Sequence, residues 1–185
     1  MKRANDRFTR QPDICQAVAA FIKWEIEIGD MRMNTERLRI RKFQKDDLDD
    51  LFALLSDQAV MLYLEEPYTK QKTKMFLYRF GIAEQPLIYA VENRDGAFVG
   101  YIIYHPYDKS SYEIGWVLHK NQWGKGYASE LTKSLIENAR AKTQNLIIEC
   151  SPSQTVTRHI ALKNHFSFVE NRNGLEVYRL CLNDH

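Results

Sequence analysis

The stretch SYEIGWVLHKNQWGKGYASELTKSLIENA, residues 111–139, constrains this chain more than any other, because it joins a strand, a glycine loop and a helix in that order. Alternation through SYEIGWVL predicts a strand. From Gly124 to residue 140 the spacing predicts a helix burying Ala128, Leu131, Leu135 and Ala139. Gly124 and Gly126 bracket Lys125 where that helix begins. The first N–H groups of a helix lack intrahelical partners, and the helix dipole favours an anion beside them. Glycines let the main chain approach a phosphate with no Cβ in the way. Gly124, Lys125, Gly126, Tyr127 and Ala128 therefore offer successive N–H groups to a phosphate. A plain strand-to-helix turn would use the same residues, so the loop alone leaves both readings open. Two nucleotide loops are excluded. The Gly-Lys-Ser/Thr ending of a P-loop is missing, as are the third glycine of a dinucleotide fingerprint and its acidic ribose ligand about twenty residues on.

Around this segment strands and helices mix. LRIRKF predicts a strand that sets Leu38, Ile40 and Lys42 against Arg37, Arg39 and Arg41. KDDLDDLFALLSD, residues 45–57, puts Leu48, Leu51, Phe52 and Leu55 on one helical face behind an acidic first turn. TKQKTKMFLYRFGIAEQ predicts a second helix, capped by Thr69. PLIYAVEN and AFVGYIIYH read as strands joined at RDG by a hairpin turn. After the glycine-loop helix come a strand at QNLIIEC, a helix over 155–165, and the strands FSFVEN and LEVYRLCL about a turn at RNG. The order β-α-α-β-β-β-α-β-α-β-β predicts a single α/β (α+β) domain: a mixed, mostly antiparallel central sheet flanked by helices. An additional amphipathic helix is expected over residues 13–28, with Ile14, Val18, Phe21 and Ile22 inward. Residues 1–32 thus read as an N-terminal extension, and 33–185 as the domain, with Met31 or Met33 a natural start for it.

Composition narrows the function classes. A length of 185 residues suits one domain with a proper core. A net charge of +2 gives no argument for nucleic acid. Cys15, Cys150 and Cys181 are odd in number and at no metal-like spacing, as expected of reduced thiols in a cytoplasmic protein. His159 and His165 are six apart and share no helix face, so no metal is expected. No apolar run is long enough for a membrane helix. The basic MKRANDRFTR and mildly apolar ICQAVAAFI imitate a signal peptide only until Gln16 and the charged KWEIEIGD, with no cleavage site.

NTERLRIRKF, YEIGWVLHKNQWGKGYASE and QTVTRHIALKNHFSF together resemble the Gcn5-related N-acetyltransferase superfamily, most closely its Rim-type branch, which acetylates ribosomal-protein N-termini. The resemblance spans residues 34 to about 182. It implies acetyl-coenzyme A as donor, with its pyrophosphate on the N–H groups of 124–128 and its pantetheine arm along Trp116, Val117 and Leu118. Trp123 replaces the Gln or Arg that usually opens the loop motif, and Gln154 and Thr157 replace an Asn and a Ser of the branch. His165 stands where the branch has glycine. Trp123 and Gln154 are carried over as coenzyme contacts.

The implied chemistry is acyl transfer from a thioester to a neutral amine. An α-amine has a reference pKa near ~8 and a lysine near ~10.4, so a base must help at neutral pH. Glu113 is the candidate. On its strand it shares a side with Gly115 and Val117, opposite Tyr112, Ile114, Trp116 and Leu118. A carboxylate there is either partly desolvated, paired, or a surface residue of an edge strand. A backbone N–H near Val117 would stabilise the oxyanion. Thr157 occupies the position of the branch's proposed acid serine, although a threonine there also suits a helix cap. Glu65 and Glu66 in YLEEPYT are candidates to attract a cationic acceptor, or are simply a solvated acidic loop. The acceptor expected is a protein N-terminal α-amine. A small-molecule amine (polyamine, amino acid or antibiotic) and a non-catalytic coenzyme-binding role are the alternatives. The apolar face of the expected extension helix is expected to dock on its own domain or across a homodimer, or nowhere if Met31 or Met33 is the true start.

Overall fold

The computed structural model describes residues 32–182. The helix expected over 13–28 lies outside the described residues. Strands β1 (Met33–Asn34), β2 (Leu38–Arg41), β3 (Ile88–Asn93), β4 (Phe98–Pro106), β5 (Ser111–Leu118), β6 (Asn145–Cys150), β7 (Ser167–Arg172) and β8 (Leu175–Cys181) form one sheet, ordered β1-β2-β3-β4-β5-β6-β8-β7. Only β5 and β6 run parallel. Helices α1 (Leu48–Leu55), α2 (Gln58–Met61) and α3 (Lys70–Phe76) precede β3, while α4 (Tyr127–Ala139) and α5 (Thr155–Lys163) flank β6. This is the expected mixed, mostly antiparallel sheet. The spacing missed β1 and the one-turn α2, both too short to carry a periodic signal.

Strand alternation divides the core in two. Tyr89, Ile102, Tyr104, Tyr112, Ile114, Leu146 and Ile148 pack on one face against Leu131 and Leu135 of α4 and Ala161 of α5. Ile88, Ala90, Tyr101, Ile103 and Val117 face the other way, against Leu51, Leu54 and Leu55 of α1 and Phe76 of α3. In α1 Leu54 is fully buried along with Leu51 and Leu55, whereas Leu48 and Phe52 are half-buried. Thr69 caps α3, its side chain accepting from the Lys72 N–H. A single π-turn, Leu77–Gly81, carries the chain out of α3.

The acidic turn before α1 has a more specific task than complementing a dipole. Asp47 is buried, and both its oxygens accept from Arg41 at 2.7 Å. Arg41 also donates to Glu92 at 2.6 Å, tying β2, β3 and the entrance of α1 together. These bonds, led by that to Asp47, hold the guanidinium pKa above its ordinary value.

Candidate active site

β5 and β6 pair only from Ser111–Asn145 to Glu113–Ile147. Beyond Glu113 they separate, while β5 stays bonded to β4 as far as Leu118. The fork opens a cleft with Glu113 at its apex. Gly115 and Trp116 line it from β5, and Ile148 and Glu149 from β6. Gln154 and Thr157 close it at the start of α5, and Leu64 covers it from the loop after α2. The free edge of β5 exposes backbone groups that a pantetheine arm, itself a chain of amides, can pair with as an added strand would.

Glu113 shares the sheet face of Val117, as the alternation predicts, and it is paired: Oε2 lies 3.4 Å from Nε2 of His105, directly opposite on β4. Its side chain is 13 % exposed. Nearby, the Tyr107 hydroxyl donates to Glu149 at 2.6 Å and accepts from Arg172 at 2.8 Å. Burial, then the bond to Glu149, pushes the Tyr107 phenol well above its ordinary pKa.

Helix α4 begins three residues later than the spacing suggests. Gly124 and Gly126 both have positive φ (75° and 80°), so the chain turns there, and Gly126 caps the helix at Tyr127. Glu130 N–H makes the first helical bond, to the Gly126 carbonyl, so the N–H groups before it project from the helix end. Trp123 ties the loop to β5, its indole N–H donating to the Leu118 carbonyl at 2.9 Å.

The sequence reading missed the brace that holds this loop. Arg37, just before β2, donates to Glu130 of α4 through its backbone N–H (2.8 Å) and Nε (2.7 Å), and to the Lys125 carbonyl (2.9 Å). Its guanidinium lies 4.8 Å from the Tyr127 ring centroid. Thr35 also donates to Glu130. Burial opposes ionisation of Glu130, but the bonds from Thr35 and Arg37 outweigh it and hold the carboxyl below its usual pKa. The signal was present as Thr-Glu-Arg-Leu beside β2 and Tyr-Ala-Ser-Glu in α4, yet nothing in the spacing says that they meet.

Two other expectations change. Thr157 lies in the first turn of α5 and lines the cleft, but the cap is Gln154, whose Oε1 accepts from the Ser151 N–H at 2.8 Å. Glu65 is engaged within its own loop, accepting from Tyr68 and, at 2.6 Å, from Lys72. Glu66 is exposed, and the residue of this loop that reaches the cleft is Leu64.

A splayed parallel pair, a carboxylate at the fork and a glycine-capped helix stand together in the order the acetyltransferase resemblance implies. The chain belongs to the acetyltransferase (GNAT) family, whose domain matches residues 37–167. It is 28 % identical over 137 residues to the uncharacterized N-acetyltransferase YnaD of Bacillus subtilis (strain 168), covering 72 % of this chain and 81 % of that one. A GNAT-family acetyltransferase structure from Bacillus anthracis superposes with a TM-score of 0.74 at 26 % identity, covering 83 % of this chain and all (100 %) of that one. The ribosomal L7/L12 α-N-protein acetyltransferase RimL, in complex with coenzyme A, shares the fold at TM-score 0.70 and 15 % identity, with coverages of 84 % and 100 %. So does spermidine N-acetyltransferase from Vibrio cholerae, in complex with CoA and spermine, at 0.66 and 17 %, with coverages of 79 % and 96 %. The chain is therefore an acyl-CoA-dependent N-acetyltransferase, and its Rim-type likeness is one among several. Among the described residues no helix is long and apolar enough to cross a membrane.

Proposed function

We propose that this enzyme moves the acetyl group of acetyl-coenzyme A to a primary amine, with Glu113 as general base. The fork carries this reading: an ionisable carboxylate sits where β5 and β6 part, beside the backbone edge that suits the pantetheine arm. The pyrophosphate would rest on the N–H groups of Gly124–Ala128. In the reaction the amine nitrogen attacks the thioester carbonyl carbon. The C–N bond forms, the C–S bond breaks, and its electron pair leaves on sulfur. Glu113, directly or through a water, takes the proton that nitrogen sheds. Thr157, which lines the same cleft, would return one to the departing thiolate.

The acceptor we favour is a protein N-terminal α-amine. Leu62 and Tyr63 are exposed immediately before the cleft-lining Leu64 and offer apolar surface for the residues that follow a terminal amine. A small dibasic amine is the second reading, favoured by Glu149, a second carboxylate in the same cleft. Thiol release measured against N-terminal peptides, polyamines, amino acids and aminoglycosides tests both. Turnover confined to peptides supports the first, turnover confined to polyamines the second, and none with any amine defeats the catalytic reading.

A further inference from the structure

We infer that His105 is the positioning partner of Glu113: it is protonated on both ring nitrogens and so keeps the carboxylate ionised and aimed into the cleft. The inference rests on the reading of Glu113 as base, and it begins from counting donors and acceptors. His105 is buried on β4, with Nδ1 2.8 Å from the carbonyl oxygen of Pro106. A carbonyl only accepts, so Nδ1 carries a proton. Nε2 faces Glu113 Oε2 at 3.4 Å. A neutral ring would then aim its lone pair at an acceptor. The contact is favourable only if a further proton is present, on Nε2 or on the carboxyl.

The role proposed for Glu113 decides between those two places, since a base has to be ionised before the amine arrives. Arg172 donates to Tyr107 and is paired with Glu170. The Tyr107 hydroxyl in turn donates a hydrogen bond to Glu149, the other carboxylate of the cleft. Both of those side chains add negative or neutral groups near Glu113, and His105 is the side chain paired with it that can carry a positive charge. With imidazolium beside it, the carboxylate is ionised before the acceptor arrives. The cross-strand pairing also limits its rotation, since His105 and Glu113 sit directly opposite in the β4–β5 register. His105 touches neither substrate nor coenzyme and keeps its protons through the cycle.

The test reads the proton directly. In the intact protein labelled with nitrogen-15 at histidine, the His105 resonances are assigned by their loss in His105→Gln. At neutral pH both ring nitrogens should resonate as N–H. In Glu113→Gln the ring should become neutral, with its proton on Nδ1. A neutral His105 in the wild-type protein would overturn the inference. This measurement needs no turnover, so it stands apart from failure of the acetyltransferase reading. The kinetic arm uses two variants. His105→Phe should lower kcat roughly ten-fold or more, leave KM for acetyl-coenzyme A nearly unchanged, and move the acidic limb of the rate profile to higher pH. His105→Gln, which keeps an N–H donor, should recover part of the rate. A loss of kcat with an unmoved acidic limb would mean that His105 merely packs.

Discussion

The two ends of the cleft are built in opposite ways. At the loop end the groups proposed to meet the coenzyme are backbone N–H groups, and Trp123, Gly124, Lys125 and Gly126 are all exposed. Side chains there serve to hold the loop: Arg37 and Thr35 on Glu130, Trp123 on Leu118. At the fork end the proposed working groups are side chains that water barely reaches: His105 is 4 % exposed and Glu113 13 %. An anion is best met by dipoles that need little desolvation, whereas a base has to be set by its surroundings. Affinity for the coenzyme and the rate of transfer should therefore respond to different substitutions.

The strongest way to break that separation is at Glu113. Glu113→Gln should lower kcat by ~10²-fold or more, the usual cost of losing a general base. Coenzyme affinity should stay nearly unchanged, and the deficit should narrow at high pH, where the amine deprotonates unaided. Titration calorimetry with coenzyme A beside steady-state rates checks both. A matching loss of affinity would show that the fork also binds the coenzyme.

The opposite pattern is expected at Gly126. Its φ of 80° costs an L residue ~1–2 kcal/mol, and a Cβ there would lie 3.4 Å from the Arg37 guanidinium. Gly126→Val should weaken coenzyme binding by at least ~10-fold, since both the strain and the branched side chain act where phosphate must approach. Unchanged affinity in a folded protein would remove the loop from the coenzyme site.

A smaller effect should follow from loosening the brace without touching the loop. Glu130 has a depressed carboxyl pKa in the folded chain, so its contribution is fully present above the ordinary value of 4.5 and is lost as pH falls through the lowered one. Glu130→Gln should cost about 1 kcal/mol at neutral pH, a modest figure because water screens the half-exposed Arg37. The gap in denaturant midpoint between variant and wild type should close in acid. Coenzyme affinity should fall a few-fold, with kcat retained. A gap that persists at low pH would mean that packing, not the ion pair, holds the loop.

What was legible from the sequence follows this contrast. The loop end is contiguous, so strand, glycines and helix could be read in order, and parity placed Glu113 on the correct face. Its brace joins residues 93 apart, and the fork joins β4, β5, β6 and α5. Such partners are set by strand order and register, neither of which is written in local spacing. His105 is an instance. Along AFVGYIIYH it reads as the polar end of a strand, and only its register opposite Glu113 gives it a role. Asp47 is another, taken for a dipole-complementing acid until Arg41 was found across the turn.

The least expected effect, and one that should leave both ends of the cleft untouched, concerns the far end of α5. The helix stops in a Schellman motif: the His165 N–H donates to the Leu162 carbonyl at 3.1 Å and the Phe166 N–H to the Ala161 carbonyl at 3.0 Å. Phe166 and Ala161 are both buried, as the motif's apolar contact requires. The geometry forces the residue between them into the left-handed region, where His165 sits at φ 65°. The turn for which the Rim-type resemblance implies a glycine is thus kept, at the cost of strain in a residue with a Cβ. That strain is worth ~1–2 kcal/mol, against the ~0.5–1 kcal/mol of backbone freedom that a glycine gives up on folding. His165→Gly should accordingly stabilise the protein by up to ~1 kcal/mol, raising Tm by about 2–4 °C for a chain of this size. Thr157 lies eight residues back along the helix, roughly 12 Å at the usual rise per residue. Coenzyme affinity and kcat should therefore not change. A lower Tm would show that the His165 side chain contributes more to the turn than its backbone strain removes.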